Sequence, residues 1–284
     1  MEQPLILDGR VLAREIEAEL RIKVERLRVA GQIPSLATIL VGDNPSSRTY
    51  VKMKRNACAR IGLMSASIEL PDTATTDELL SKIKELNEDP TICGILLQHP
   101  LPKQIDEQAC FNAISLAKDV DGVNTGSFGA MTMQMESFKS ATPLAIMTIL
   151  KRYQIKLAGL NAVVIGRSPI LGKPVAMMLL NANATVTICH SQTRDLPSIV
   201  KNADLLVAAI GKPKFVQGDW IKEGAVLIDA GYNEGNIGDI DLDAAAPKSS
   251  AYTPVPGGVG PVTIACLLTQ AVAAAEKACK FNLF

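Results

Sequence analysis

The sequence predicts an α/β protein built from parallel sheets in two halves. Apolar segments of strand length alternate with helical patterns along the chain, which is typical of parallel sheets covered by helices. The length of 284 residues is sufficient for two domains. Hydrophobic residues make up 48% of the chain and aromatic residues only 4%, so we expect a core of mainly aliphatic side chains.

Three strands and two helices are predicted in the first half. The strands cover residues 35–42, 65–70 and 91–102, and the helices cover residues 49–62 and 75–89. A capping box of Thr75 and Glu78 marks the start of the second helix. The third strand stops at two prolines, which leaves Gln98 and His99 at its carboxyl end, where open α/β sheets bind ligands. A polar loop is expected over residues 117–130.

The second half, which is expected to begin between residues 130 and 141, contains a βαβ unit. Residues 160–191 have the pattern of a strand, a glycine-bearing turn, a helix and a second strand. A helix precedes this unit, with Thr142 as its cap and Pro143 in its first turn. Further elements are buried strands at 203–211 and 224–233 and an apolar helix at about 262–280.

The composition argues against several classes of site. Lys plus Arg and Asp plus Glu both number 29, without a long run of one sign, so no nucleic-acid or membrane surface is expected. The six cysteines are scattered, which indicates a reducing compartment, and two histidines do not suggest a metal site. Because no signal-like or membrane-spanning segment is evident, we expect a cytosolic protein.

One lysine of the first predicted helix falls on its apolar face. At about 100° per residue, Lys54 lies near the middle of an arc made of Tyr50, Val51, Met53, Ala57, Cys58 and Ile61. Lys52 and Arg55 lie on the opposite, solvated side. An amine withdrawn from water loses affinity for its proton and becomes a candidate general acid or base. The alternative is that Lys54 extends to solvent and Tyr50 is a core residue.

Two other segments supply polar partners for this amine. Gln98 has an amide that could orient it, and Asp119 and Asp121 have carboxylates that could hold a cationic or amidine-like ring edge. An ordinary polar loop would contain such acids too. The pattern therefore predicts a candidate site without settling its chemistry.

The turn from Gly166 to Gly172 follows an apolar strand and opens a helix, as a dinucleotide-binding turn does in a Rossmann-like domain. Its glycine spacing is not G-x-G-x-x-G, and a tight βα turn is the alternative. The next strand ends in Cys189, His190 and Ser191 rather than in an acid that would bind ribose hydroxyls. With Arg167 in the turn, this favours NADP over NAD.

The segment TPVPGGVGP, residues 253–261, combines prolines that fix the backbone with glycines that remove side chains. A turn without function is the alternative. A backbone that is this rigid, and that a ligand can approach closely, is typical of a ligand-binding segment.

Seven segments taken in order carry a family resemblance: YVKMK, GILLQHPLP, KDVDG, VVIGRSPILGKP, CHS, DLLVAAIGKP and TPVPGGVGP. Together they resemble the bifunctional methylenetetrahydrofolate dehydrogenase/methenyltetrahydrofolate cyclohydrolase family over nearly the whole chain. The resemblance implies oxidation of 5,10-methylenetetrahydrofolate with NADP⁺ to the methenyl cation, followed by hydrolysis to 10-formyltetrahydrofolate. It also implies a place in one-carbon metabolism, tetrahydrofolate interconversion and purine biosynthesis.

The resemblance implies roles for individual residues. Lys54 would be the acid/base of hydrolysis, tuned by Gln98, and Asp121 would bind the aminopyrimidine edge of the pterin. Tyr50 would pack against the folate and hydrogen-bond to it. Implied substrate contacts are Pro256, Gly257 and Gly258, and implied NADP contacts are Gly166, Arg167, Ser168, Ser191 and Tyr232.

The family's architecture implies two α/β domains with a cleft between them. Residues 1–140 with a terminal helix at about 265–284 would form the catalytic, folate-binding domain, and residues 141–264 the Rossmann-like NADP-binding domain. A cytoplasmic homodimer without a metal is also implied. The departures from the family include His99 in place of a leucine, Tyr232 in place of an aliphatic residue, and residues 122–130, which lack the usual aromatic and proline residues.

Two other functions compete with this one. A shikimate dehydrogenase would share the architecture and a Lys and Asp pair, but it does not explain Tyr50 four residues before Lys54. A catalytically silent nucleotide or folate binder would not need an inward amine.

Overall fold

The computed structural model describes residues 3–281, with parallel strands and helices in alternation. The helices are α1 (Gly9–Val29), α2 (Pro45–Ile61), α3 (Thr76–Glu88), α4 (Glu107–Ala113), α5 (Thr125–Thr132), α6 (Ala141–Arg152), α7 (Gly172–Asn181), α8 (Leu196–Val200), α9 (Leu242–Ala245) and α10 (Val259–Phe281). The strands are β1 (Leu5–Ile6), β2 (Ser35–Val41), β3 (Met64–Leu70), β4 (Ile92–Leu97), β5 (Asn161–Ile165), β6 (Thr185–Cys189), β7 (Leu205–Ala208), β8 (Val226–Asp229) and β9 (Ala251–Tyr252).

The chain divides into two compact units. The Lys54 unit comprises Glu15–Ala141 and the residues from Ile264 onward, and the Gly166 unit comprises the residues up to Arg14 and Thr142–Thr263. Each unit contains one parallel sheet, so the predicted α/β class is confirmed.

The Lys54 unit has a three-stranded sheet in the order β3-β2-β4. Apolar side chains of α1, α2 and α10 form part of one buried cluster, among them Leu20, Val24, Ile61, Leu268 and Val272. The predicted capping box of Thr75 and Glu78 is present at the start of α3. A glycine in β4 also matters for the site, because a Cβ at Gly94 would stand 2.7 Å from the Val120 side chain. The loop carrying the two candidate acids can therefore lie against this strand.

The Gly166 unit has a six-stranded sheet in the order β1-β9-β8-β7-β5-β6. Strand β5 pairs with β6 on one side and with β7 on the other, so the strand order reverses at β5. The carboxyl ends of strands at such a reversal are where open α/β sheets bind ligands. The topology thus places the turn after β5 at the expected ligand-binding edge.

Several local predictions differ from the structure. Residues up to Arg14 group with the Gly166 unit, not with the first half, because β1 pairs with β9 and the Leu7 amide donates to the Tyr252 carbonyl at 2.8 Å. The expected loop over 117–130 contains α5, whose cap Asn124 accepts from the Gly126 amide. Helix α6 begins at Ala141, so Thr142 lies inside it.

Helix α10 is the one described helix long and apolar enough to cross a membrane. Within Val259–Ala278, 67% of its most apolar window is buried in the fold. Such burial is typical of a core helix, and this helix contributes to the buried cluster of the Lys54 unit.

Candidate active site

Helix α2 carries Tyr50 and Lys54 one turn apart, and both side chains are half-buried. The helix begins beside Asn44, whose side chain accepts from the Ser47 amide, and it ends at Gly62 in the left-handed conformation. Met53, expected on the apolar face, is 46% exposed. It stands at the edge of the predicted arc, about 100° from Lys54, beyond the buried stripe.

Gln98 fixes the position of the Lys54 amine. It follows β4 directly and is only 6% exposed. The Lys54 Nζ donates to Gln98 Oε1 at 3.0 Å, and Gln98 Nε2 donates to the His99 carbonyl at 2.7 Å. Because the amide nitrogen is engaged by a backbone carbonyl, its oxygen faces the amine.

The two acids of the KDVDG segment have different environments. Asp119 is 0% exposed and accepts from the amides of Val123 and Asn124, both at 3.0 Å. Burial raises the pKa of Asp119 to about 6, against these hydrogen bonds, which lower it. Asp121 is half-buried and interacts electrostatically with Lys54. Asp119 therefore stabilises the loop that contains Val123 and Asn124, whereas Asp121 interacts with the Lys54 amine.

The Lys54 and Asp121 charges stabilise each other, but burial acts more strongly on both. Burial lowers the pKa of Lys54 below 10.5, and the Asp121 carboxylate partly offsets this shift. Burial raises the pKa of Asp121, and the charges of Lys54 and His99 oppose that rise. The pKa of the Lys54 amine is thus lower than that of an exposed lysine, which makes the neutral, proton-accepting form more accessible.

The turn after β5 is built for close backbone approach. Gly166 has φ 131°, and a Cβ there would stand 2.2 Å from the Ala209 carbonyl oxygen. A Cβ on Gly172, at the start of α7, would stand equally close to the Gly166 oxygen. The Ser168 hydroxyl accepts from the amides of Leu171 and Gly172 at 3.2 and 3.3 Å. Ser168 therefore shapes the start of the helix.

The loop after β6 lies beside this turn. Ile165 is the register partner of Cys189, and the Gly166 amide donates to the Cys189 carbonyl at 2.9 Å. Arg167 and Ser191 are both exposed, and no acid stands at the end of β6. A cation and a hydroxyl at this edge suit a ribose that carries a phosphate.

Tyr232 and the proline-glycine segment also lie in the Gly166 unit. Tyr232 is 57% exposed, and its hydroxyl donates to Asn236 Oδ1 at 2.7 Å. Gly257 has φ 112° and accepts from the Gly9 amide at 2.9 Å. A Cβ on Gly258 would stand 2.6 Å from the Pro254 oxygen, and Pro256 precedes this pair at the surface. The three predicted substrate contacts are thus not in the unit that carries Lys54.

Two further buried acids have no counterpart among the predicted site residues. Asp229 is 1% exposed and Asp239 0%, and both accept hydrogen bonds from backbone amides near the ends of β7 and β8. The sequence signal is an acid that ends an apolar strand, VLID, with a glycine two residues later.

Among the described residues, no group of three His, Cys, Asp or Glu side chains is placed to hold a metal ion. The five described cysteines are buried, and none of them forms a disulfide. The side chain of Cys279 lies outside the described residues.

Two family descriptions match the chain. "Tetrahydrofolate dehydrogenase/cyclohydrolase, catalytic domain" matches residues 7–121, and "Tetrahydrofolate dehydrogenase/cyclohydrolase, NAD(P)-binding domain" matches residues 140–279. The chain belongs to the tetrahydrofolate dehydrogenase/cyclohydrolase family. Among its relatives, the bifunctional protein FolD of Acidobacterium capsulatum is 59% identical and that of Teredinibacter turnerae 60%. Each alignment covers 96% of this chain and 98% of the relative.

Solved structures of this family share the fold. The FolD methylenetetrahydrofolate dehydrogenase/cyclohydrolase of Campylobacter jejuni has a TM-score of 0.94 and 44% identity, covering 96% of this chain and 98% of the other. The enzyme of Trypanosoma brucei, solved with NADP and an inhibitor, has the same TM-score at 36% identity, covering 98% and 99%. A shikimate dehydrogenase of Aquifex aeolicus is 12% identical over 86% of this chain and 97% of its own, with a TM-score of 0.54, a likeness of fold alone.

Proposed function

We propose that this protein oxidises 5,10-methylenetetrahydrofolate to the 5,10-methenyl cation with NADP⁺, and hydrolyses the cation to 10-formyltetrahydrofolate. These are two interconversions of one-carbon metabolism. The observation that carries the proposal is the half-buried Lys54 amine, held by Gln98 and Asp121 in a chain of the tetrahydrofolate dehydrogenase/cyclohydrolase family.

Lys54 is the acid/base of the hydrolysis. Its neutral amine accepts a proton as the oxygen of water bonds to the methenyl carbon. The hydroxyl of this adduct then loses its proton to solvent as its C–O bond becomes a carbonyl, the bond from the carbon to N5 breaks, and the ammonium returns a proton to N5. One proton is released overall, as addition of water to a cation requires. Gln98 orients the amine throughout, because its oxygen lies 3.0 Å from Nζ.

Asp121 and Tyr50 bind the folate. An aminopyrimidine edge has N–H groups that can donate hydrogen bonds to a carboxylate. Asp119 already accepts hydrogen bonds from its own loop, whereas Asp121 interacts with Lys54 and is the acid available to the folate. Tyr50 lies one turn from Lys54 and offers a ring face and a hydroxyl. Pro256, Gly257 and Gly258 provide a rigid backbone for further contacts with substrate.

NADP is the cofactor that fits the turn after β5. Gly166 lets the turn pack against the Ala209 carbonyl, Ser168 holds the start of α7, and Arg167 and Ser191 suit a 2′-phosphate. Tyr232 supplies an exposed ring on a neighbouring loop. When bound there, NADP⁺ would supply the hydride acceptor for oxidation of the methylene carbon.

In this proposal residues 1–140 with the carboxyl-terminal helix carry the folate-binding catalytic role, and residues 141–264 carry the NADP-binding role, although β1 belongs to the sheet of the Gly166 unit. The family match to residues 7–121 and 140–279 supports the two roles. The protein works as a cytoplasmic homodimer, supplies purine biosynthesis, and has no nucleic-acid or membrane partner, in keeping with its balanced charge.

One assay tests the proposal. Purified protein is mixed with 5,10-methylenetetrahydrofolate and NADP⁺, and formation of the methenyl cation and its hydrolysis are followed by absorbance. We expect both steps. A parallel reaction contains shikimate in place of the folate. Oxidation of shikimate without turnover of the folate, or folate binding without turnover, would contradict the proposal. Sedimentation of the same sample reports whether the protein is a dimer.

A further inference from the structure

Asp239 gathers a run of backbone amides into one carboxylate. Its Oδ2 accepts from the amides of Ile210 at 2.6 Å and Gly211 at 2.9 Å, and its Oδ1 accepts from the Lys212 amide at 2.9 Å. The Asn233 side chain donates to Oδ1 as well, at 3.1 Å. Consecutive N–H groups that converge in this way form an anion-binding nest. Here the nest is filled by a side chain of the protein itself.

Asp229 holds Asp239 in turn. Its carboxylate accepts from the Asp239 amide at 3.0 Å, the Ile240 amide at 2.8 Å and the Gly231 amide at 2.9 Å. Burial raises the pKa of Asp229 to about 6, against these three hydrogen bonds. The two acids therefore join the loops after β7 and β8 to the segment that precedes α9.

The loop after β7 borders the candidate nucleotide turn, and β7 separates the loop after β8 from β5 in the sheet. The Ala209 amide donates to the Ile165 carbonyl at 2.8 Å, and the space of a Cβ on Gly166 is occupied by the Ala209 carbonyl. The three amides held by Asp239 follow Ala209 directly. Tyr232 follows Gly231, whose amide is held by Asp229.

The fit around the carboxylates is close. A Cβ on Gly231 would stand 2.2 Å from Asp239 Cγ, and a Cβ on Gly238 would stand 2.1 Å from Asp229 Oδ2. The backbone at both glycines is therefore in contact with an acid, and neither position has room for a side chain.

We propose that Asp239 is a positioning residue of the NADP site, which it shapes by holding residues 210–212 against the turn at Gly166. The inference rests on the proposed NADP site. Asp239 touches neither substrate nor reacting atoms, so its effect falls on cofactor affinity. Methenyl hydrolysis needs no cofactor and depends on Lys54, in the other unit.

The test compares Asp239→Asn and Asp239→Ala with the wild type and with Asp243→Asn, a control at an exposed acid of the same unit. The Kd for NADP⁺ is measured by calorimetry, and methenyl hydrolysis is measured on the same samples. We expect the Kd to rise by about tenfold or more in both Asp239 variants, because buried amides lose an acceptor. Hydrolysis should remain near the wild-type rate, and Asp243→Asn should leave both unchanged.

Chemical rescue separates positioning from general damage. Formate is small enough to enter the nest in Asp239→Ala, so we expect formate, and not chloride, to restore NADP⁺ affinity in that variant alone. If Asp239→Ala does not fold, the Kd and hydrolysis rate of Asp239→Asn decide the matter. An unchanged Kd, or equal loss of NADP⁺ binding and hydrolysis, would overturn the proposal. Failure of the proposed function is distinct, since the wild type would then not turn over.

Discussion

The Lys54 cluster and the Asp229–Asp239 pair are both buried polar groups, but they are satisfied in different ways. The Lys54 amine is held by one side-chain amide and faces one carboxylate, and it is only half-buried. Asp229 and Asp239 are almost completely buried, and each accepts three backbone amides. A carboxylate that already accepts three backbone amides has little capacity left for a ligand, whereas a desolvated amine with few hydrogen-bond partners can exchange a proton.

The same difference separates two acids of one short segment. Asp119 is fully buried and accepts two backbone amides, and Asp121, two residues later, faces Lys54. Acids held by the backbone are therefore expected to govern stability and loop position. Lys54 and Asp121, which interact through side chains, are expected to govern catalysis and substrate binding.

Removal of the amine should have the largest effect. We expect Lys54→Met to slow methenyl hydrolysis by about 10²- to 10⁴-fold, because general acid–base catalysis is lost. Folate binding, measured by calorimetry, should persist. Lys52→Met is the control, since Lys52 is exposed on the same helix. Hydrolysis at the wild-type rate in Lys54→Met would remove this residue from its role.

Replacement of a backbone-held acid should instead change stability and its dependence on pH. The folded-state pKa of Asp119 is about 6, above the value in the unfolded chain. The stabilising contribution of this carboxyl is therefore complete below about pH 4 and is lost as the pH rises through 6.

Denaturant titrations of the wild type and Asp119→Asn at several pH values measure this effect. The free energy of unfolding of the wild type, relative to the variant, should fall by about 2 kcal/mol between pH 4 and 8. Hydrolysis by the folded variant should stay close to normal. The account would be contradicted if the wild type became more stable relative to Asp119→Asn as the pH rises. It would also be contradicted if the exposed control Asp72→Asn showed the same pH dependence.

A smaller effect is expected at the surface of the nucleotide turn. Arg167→Ala should weaken NADP⁺ binding by about tenfold, through loss of a charged hydrogen bond to phosphate, and should affect NAD⁺ less. Calorimetry with both cofactors measures the ratio, and Lys201→Ala serves as an exposed control in the same unit. Equal losses for the two cofactors would count against recognition of a 2′-phosphate.

Local sequence patterns predict structural features, such as secondary structure and helix caps, that depend on residues close together in the chain. The strand and helix alternation and the capping box at Thr75 are confirmed, because periodicity and caps are short-range. Helical periodicity also singled out Lys54. It placed Met53 on the same face wrongly, since a residue at the edge of an arc is buried only if a neighbour covers it.

Long-range hydrogen bonds to the backbone leave no such pattern. Asp239 accepts amides from residues 27 to 29 positions earlier in the chain. Any residue but proline offers an amide, so no side-chain spacing identifies these donors. For the same reason the sequence could not distinguish Asp119 from Asp121, or place Leu5 and Ile6 beside β9.

The pH dependence of methenyl hydrolysis at saturating folate tests the central claim most directly. The rate, corrected for hydrolysis in Lys54→Met, should rise through one ionisation below 10.5, because burial lowers the pKa of Lys54. In Asp121→Asn this ionisation should move to lower pH, since the Asp121 charge raises the pKa of the amine. An ionisation at or above 10.5, or a shift to higher pH in Asp121→Asn, would contradict the account.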